Sequence, residues 1–348
     1  MRRALSLARR GLGRTSPNPA VGSVVVSGEQ VVGEGWHQRA GEPHAEVIAI
    51  ERAGPKARGA TLYATLEPCV HVGRTPPCVD AILAAGVSRV VVATRDPDPR
   101  VDGRGIARLQ QAGVELTEGV LEEDARALNR AFFKHLRTRL PWVLLKLALS
   151  LDGRVTAPGR RYLTGPEARR QVHRLRDQSD AVLVGIGTVL ADDPQLTVRD
   201  VRGRDPLRVV LDAGARTPPA ARVIGNDGRA VVFVGEGADA GCVRGLRDAG
   251  ARVVEIPRAD RGVDLRAALG WLDKHDVLSV LLEAGPTVAT AMLRAALVDE
   301  ALFLYAPLVV GDAGLPALGG TIEAIALRQS RVFRLGDDVA VQGLVPPD

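Results

Sequence analysis

The stretch Thr65-Leu66-Glu67-Pro68-Cys69-Val70-His71-Val72-Gly73-Arg74-Thr75-Pro76-Pro77-Cys78 carries two Pro-Cys pairs with eight residues between the cysteines. Upstream of it stands His44-Ala45-Glu46. One His and two Cys make three ligands for a tetrahedral Zn2+ and leave the fourth position to water, the pattern of a catalytic zinc. A structural zinc would normally have four protein ligands. Helical spacing predicts a helix over His44–Ala53. Residues two apart on a helix point about 200° apart, so His44 and Glu46 cannot both face one metal. With His44, Cys69 and Cys78 as ligands, Glu46 stands beside the bound water as general acid/base. A disulfide between Cys69 and Cys78 is the alternative, disfavoured in a reducing compartment.

Around this stretch the chain alternates strands and helices. Short β-branched runs at Val21–Val26, Thr61–Leu66 and Arg89–Thr94 read as strands. Cys78–Ala85 reads as a helix, opened by Pro76-Pro77 and closed by Gly86. A boundary is expected at Arg137–Trp142, giving domains 1–141 and 142–348. Beyond it, strands are expected at Val143–Leu149, Ala181–Gly185, Leu207–Asp212, Ala230–Val234, Arg252–Ile256, Val277–Glu283 and Leu302–Ala306. Helices are expected at Pro166–Gln178, Asp239–Ala249, Leu265–Lys274 and Pro286–Ala296. The alternation predicts an α/β protein, with a mostly parallel sheet and helices on its faces in this second half. Gly185-Ile186-Gly187-Thr188 supplies only half of a GxGxxG fingerprint and reads as a simple turn. Gly285-Pro286-Thr287 lies between a strand and a helix, a position suited to an anion such as a pyrophosphate.

The 348 residues are 46% hydrophobic and 25% charged, as in ordinary globular proteins of about two domains. No stretch of about 18 apolar residues suggests a membrane span. Met1 to Arg14 lacks the apolar core of a secretory signal, and three cysteines fit a reducing, cytoplasmic setting. The net charge of +5 suggests anionic ligands. Aromatics at 3% are poor equipment for stacking on nucleic-acid bases, so a small phosphorylated ligand fits better.

His-x-Glu followed by paired cysteines is the signature of zinc nucleobase deaminases; here the cysteine spacer is eight residues instead of two. The Thr65–Cys78 string, with Ser16-Pro17-Asn18-Pro19-Ala20-Val21-Gly22 and Gly35-Trp36-His37, resembles the deaminase half of the bifunctional riboflavin-biosynthesis deaminase/reductase family. Asp96-Pro97-Asp98 matches a further pocket segment, more often Asp-Pro-Asn in that family. Lys146 to Gly153, Leu163 to Arg169, Val184 to Arg199 and Leu282 to Thr287 resemble its reductase half. The resemblance implies a cytidine-deaminase-like domain followed by a dihydrofolate-reductase-like domain. It implies zinc and NADPH as cofactors, and a diaminopyrimidinone with a phosphoribosylamino group as substrate. It assigns Asn18, His37, His71, Arg74 and Asp96 to the deaminase pocket. It assigns NADPH contacts to Leu149, Tyr162, Thr188, Asp192, Gly285, Pro286, Thr287, Val288, Ala289, Thr290 and Ala291. Substrate contacts of the reduction fall to Lys146, Arg176, Leu196, Arg199 and Glu283, with Arg176 and Arg199 as phosphate partners. Ala284 stands where the family commonly has Gly, so its methyl is expected to crowd the cofactor. A homo-oligomer is expected, with neither nucleic acid nor membrane as partner. Two rivals stay open: a nucleic-acid deaminase with an appended binding domain, which would not bind NADPH, and a zinc-stabilised structural protein, which would turn over no aminopyrimidine.

Overall fold

Strand β1 (Gly22–Ser27) pairs antiparallel with β2 (Gln30–Trp36) on one side and with β3 (Thr61–Ala64) on the other. In the computed structural model, which describes residues 1–71 and 76–346, parallel β4 (Arg89–Val92) and β5 (Glu115–Thr117) complete a five-stranded sheet of order β2-β1-β3-β4-β5. This sheet is mixed, because the β1–β2 connection is a tight hairpin that leaves no room for a crossover. Helix α1 (Arg2–Ala8) backs β1, and α2 (Ala45–Ala53) backs β2. A Cβ on Gly22 would overlap the Ala4 carbonyl; on Gly33 and Gly35 it would overlap those of Ala49 and Ala45. Glycine at these strand positions is what lets both helices lie flush on the sheet. Helices α3 (Cys78–Ala84), α4 (Arg104–Gln111), α5 (Glu122–Leu128) and α6 (Arg130–Thr138) follow. Val25, Leu62, Ile82, Val90 and Leu109 form the centre of this core.

The chain divides into two compact units after Arg139. The second unit opens with β6 (Trp142–Leu149), α7 (Pro166–Gln178), β7 (Ala181–Gly185), α8 (Ile186–Asp192), β8 (Leu207–Leu211) and β9 (Ala230–Gly235). It continues with α9 (Ala240–Asp248), β10 (Arg252–Ile256), a small hairpin β11 (Arg258–Ala259) and β12 (Gly262–Val263), α10 (Leu265–Asp273) and β13 (Ser279–Leu282). It closes with α11 (Pro286–Arg294), β14 (Glu300–Tyr305), β15 (Arg328–Leu335) and β16 (Asp338–Leu344). The nine-stranded sheet runs β10-β9-β8-β7-β13-β6-β14-β16-β15. Seven strands are parallel, and the β15–β16 hairpin adds antiparallel to β14. After β6 the chain leaves room for one strand, builds outward through β10, and then returns to insert β13 beside β6. That reversal is a switch point, where the carboxyl ends of parallel strands form a crevice. The Gly185–Thr188 segment is no simple turn: Gly185 caps α8, and the glycine brings β7 close enough that a Cβ would press on Val288 of α11.

Candidate functional site

In the first unit, His44, Cys69 and Cys78 converge at the carboxyl ends of β3 and β4. His44 is the N-cap of α2, with an extended backbone at φ −75°, ψ 162°. The expected helix therefore starts one residue later, and His44 diverges from Glu46 because the backbone bends there, not because both ride one helix. Cys78 opens α3, and Cys69 sits in the loop after β3. His44 Nδ1 lies 3.0 Å from Cys78 Sγ and 3.6 Å from Cys69 Sγ, and the sulfurs are 3.4 Å apart without a bond. Tetrahedral zinc with N and S ligands has donor–donor edges of roughly 3.5–3.8 Å, so the triangle is nearly the right size. Among the described residues this is the one His/Cys/Asp/Glu group gathered closely enough to hold a metal, with all three atoms within 4.8 Å. The Cys78 contact draws the Cys69 thiol down to about 4, while Cys78 is pushed well above its ordinary value by the same contact and by burial. Contact with Cys69 raises His44. The three groups share protons where a divalent cation would displace them.

Glu46 fits this centre. It is 3% exposed, and its Oε2 is buried with no hydrogen-bond partner. Burial is the main cause that lifts its carboxyl to about 7, so it exchanges protons near neutrality. His37 packs edge-on to His44 with ring centres 5.2 Å apart. Its Nδ1 donates to Pro43 O at 3.3 Å, which leaves Nε2 to accept from Asn18 Nδ2 at 3.0 Å. Burial holds this imidazole below its ordinary value. His71 is half-buried with Nδ1 unpartnered. Asp96, 8% exposed, accepts from Asp98 N at 2.9 Å, and burial first, then neighbouring carboxylates, push its carboxyl up to about 7. Arg74 lies outside the described residues.

Sequence reasoning missed Glu67. Its Oε2 accepts from Asp96 N at 3.3 Å and Gly103 N at 3.0 Å; its Oε1 accepts from Gly105 N at 2.9 Å and Ile106 N at 3.2 Å. One buried carboxylate thus ties the Cys69 loop to the Asp96 loop and to the first turn of α4. Its donors lie 29 to 39 residues away, so no local spacing announces it.

The second unit holds a cleft of about 1630 Å³ at the switch point. Common ligand pockets span roughly 300–1,000 Å³, so this one has room for a dinucleotide and a second molecule. Tyr162, Thr188, Asp192, Gly285, Pro286, Thr287, Val288 and Ala291 all line it, as do Lys146, Arg176, Leu196, Arg199 and Glu283. Three expected contacts do not: Leu149, Ala289 and Thr290 are turned into packed interior. A run of seven residues on a helix of 3.6 residues per turn cannot present every side chain to one cleft. Thr290 Oγ1 instead accepts from Gly319 N at 2.8 Å. Ala284 is 6% exposed and packs into the core, and it also lines the cleft beside Glu283 and Gly285.

Arg176 lines the cleft and is already paired within the protein. It presents no open phosphate anchor: Nε donates to Glu283 Oε1 at 2.6 Å, Nη2 to Oε2 at 3.0 Å, and Nη1 to Thr197 O at 3.0 Å. Lys146 Nζ stands 3.5 Å from the same carboxylate. Burial alone would raise Glu283, but Arg176 and then Lys146 hold it down to about 2. Arg199 is exposed, with Nη1 donating to Thr197 Oγ1 at 2.8 Å. Leu196 is buried and held at φ +55° in the same loop. Tyr162 is 52% exposed, with the Arg169 guanidinium 4.9 Å from its ring centre.

Residues 1–94 match the family model for the cytidine and deoxycytidylate deaminase zinc-binding region, and residues 141–341 match that for the RibD C-terminal domain. The riboflavin biosynthesis protein RibD of Escherichia coli strain K12 is 44% identical, covering 98% of this chain and 97% of its own. The protein of the same name from Aquifex aeolicus is 40% identical over 98% and 96%. Among solved structures, RibD of Acinetobacter baumannii superposes with a TM-score of 0.89 at 39% identity, covering 99% of this chain and 97% of that one. A diaminohydroxyphosphoribosylaminopyrimidine deaminase/5-amino-6-(5-phosphoribosylamino)uracil reductase from Thermotoga maritima gives 0.87 at 36% identity over 99% and 97%.

Proposed function

The chain belongs to the RibD family, bifunctional deaminase/reductases of riboflavin biosynthesis, and on that premise we propose how its residues divide the two steps. The first unit hydrolyses an amine from 2,5-diamino-6-(5-phosphoribosylamino)pyrimidin-4-one. The second reduces the ribosyl group of 5-amino-6-(5-phosphoribosylamino)uracil to ribityl. The observation that carries the first step is the convergence of His44, Cys69 and Cys78 beside a buried carboxylate with an unpartnered oxygen. Those three residues would hold the zinc, which when bound supplies an acidified water. Glu46 carries two protons in turn at Oε2, the first from the water to the ring nitrogen and the second to the amine, which departs as ammonia. His37, with Nε2 as acceptor, fixes the Asn18 amide, while His71, Arg74 and Asp96 take up the polar edges of the substrate.

In the second unit NADPH, when bound, supplies the hydride that goes to C1′. Thr188, Asp192, Tyr162 and the first turn of α11 at Gly285-Pro286-Thr287 would hold it. Glu283, kept ionised, accepts hydrogen bonds from ribose hydroxyls and cannot donate a proton. The Lys146 ammonium beside it is the donor for the ring oxygen as the ribosyl ring opens. Arg176 orients Glu283, which leaves Arg199 as the guanidinium available to the substrate phosphate. The three free cysteines support a cytoplasmic location. The exposed edge strand β15 supports a homo-oligomer, which sedimentation measures directly.

The test supplies the purified chain with the diaminopyrimidinone phosphate and NADPH, and follows ammonia release and loss of nicotinamide absorbance. Metal analysis of Cys78→Ser accompanies it, and most of the zinc is expected to be gone. Full zinc retention with intact deamination would sink the ligand assignment.

A further inference from the structure

At the carboxyl end of β8 the chain reads Leu211-Asp212-Ala213-Gly214-Ala215-Arg216-Thr217. Such a strand end offers a bound dinucleotide either an acid or a base. An acid accepts the 2′-hydroxyl of an adenosine ribose and repels a 2′-phosphate; an arginine does the reverse. Here the sequence holds both, and the fold chooses between them. Asp212 is fully buried and turned inward, its Oδ2 accepting from Thr217 N at 2.6 Å and Thr217 Oγ1 at 2.7 Å. Arg216 is exposed and lines the cleft, its stem folded back over Gly214.

Arg222 stands on the same wall. Its backbone N donates to Asp193 Oδ1 at 2.8 Å, and Asp193 is the C-cap of α8. The tether sets Arg222 beside the helix whose Thr188 and Asp192 line the cleft. Among the described residues neither the Arg216 nor the Arg222 side chain has an ion pair or hydrogen bond. Arg258 is the contrast: it donates to Glu236 O at 2.8 Å and Ala213 O at 3.2 Å, and so shapes the turn instead of facing a ligand. Two unpaired guanidinium groups at a cleft wall are a phosphate site in waiting. β8 is two strands from β13, whose end carries the first turn of α11. At about 4.8 Å per strand the separation is about 10 Å. That is the reach of an adenosine ribose whose pyrophosphate rests on α11.

We infer that Arg216 and Arg222 form the subsite for the 2′-phosphate of the cofactor, and that this pair selects NADPH over NADH. Asp192 is then left to the ribose hydroxyls. The inference rests on reading the second unit as a nicotinamide-dependent reductase.

Calorimetry on the full chain with NADP+, NAD+, 2′,5′-ADP and 5′-AMP tests it without turnover. The parent is expected to bind 2′,5′-ADP more tightly than 5′-AMP. In Arg216→Ala and in Arg216→Ala/Arg222→Ala, the Kd for NADP+ and 2′,5′-ADP is expected to rise about tenfold or more. The Kd for NAD+ is expected to stay put. Arg216→Lys, which keeps a point charge and loses the fork, should fall between. Parallel weakening of both dinucleotides, or an unchanged NADP+ Kd in the double variant, overturns the subsite while leaving the reductase reading intact. A parent that binds neither dinucleotide overturns that reading and the subsite with it.

Discussion

Asp96 and Glu283 are both buried carboxylates, and their surroundings drive them in opposite directions. Asp96 is buried with the acids Asp98 and Glu67 for neighbours, so its carboxyl is lifted from 3.8 to about 7. Its folded form holds a proton that the unfolded chain has already lost between those values. Its contribution to stability is therefore full below about 3.8 and is lost as pH rises toward 7. Asp96→Asn keeps an oxygen for Asp98 N and removes the charge. At pH 8 it is expected to stabilise the first unit by on the order of 1 kcal/mol, a few degrees in Tm, while deamination falls. Thermal melts at pH 5 and pH 8 check this; a gain at pH 5 as large as at pH 8 would contradict it. Glu283 runs the other way. Its folded value near 2 lies below the ordinary 4.5, so its contribution is present above 4.5 and is lost as pH falls toward 2. Glu283→Gln leaves Arg176 and Lys146 without their counter-charge, which at pH 7 should cost about 3–5 kcal/mol. The deficit against the parent should shrink in melts below pH 4, as the contribution of the parent's charge fades toward pH 2.

Elements whose pattern was local were legible, and those set by a distant partner were not. The boundaries of α7, β7 and β10 coincide with the sequence reading, since Pro166 starts a helix and β-branched runs make strands. β2 escaped because Gly33 and Gly35 erase the β pattern, and they are glycine only because the α2 carbonyls lie against them. β15 escaped because an edge strand exposed along most of its length carries no alternation. The metal triad was legible because zinc chemistry constrains residue type and order within 35 residues. The Arg176–Glu283 pair spans 107 residues and was not. Glu67 belongs with it, and α4 gives the test. A Cβ on Gly105 would overlap Pro68 O and crowd the Glu67 side chain. Gly105→Ala should force α4 away from the Cys69 loop, at roughly 1–3 kcal/mol. Its melt should shift down and its zinc should exchange faster with a chelator. Unchanged chelation kinetics would mean that the Glu67 tether does not govern the metal loop.

Both units set their chemistry at the carboxyl ends of parallel strands, and each has a core of its own, centred on Leu62 and Val90 in one and on Leu145 and Leu281 in the other. No residue is shared between the metal triad and the residues lining the cleft. Substitutions at independent sites add, and their effects stay local. Glu46→Gln removes the proton acceptor and leaves the three metal donors, so deamination should drop about 10²–10⁴-fold with zinc still bound. Supplied with substrate already deaminated, that variant should reduce it at the parent rate. Glu283→Gln should do the converse, abolishing NADPH consumption while ammonia release continues. The two assays therefore form a crossed pair: each variant silences one signal and spares the other. A folded Glu46→Gln protein that fails in both would mean that reduction depends on events at the metal centre. The division of labour between the two units would then have to be abandoned.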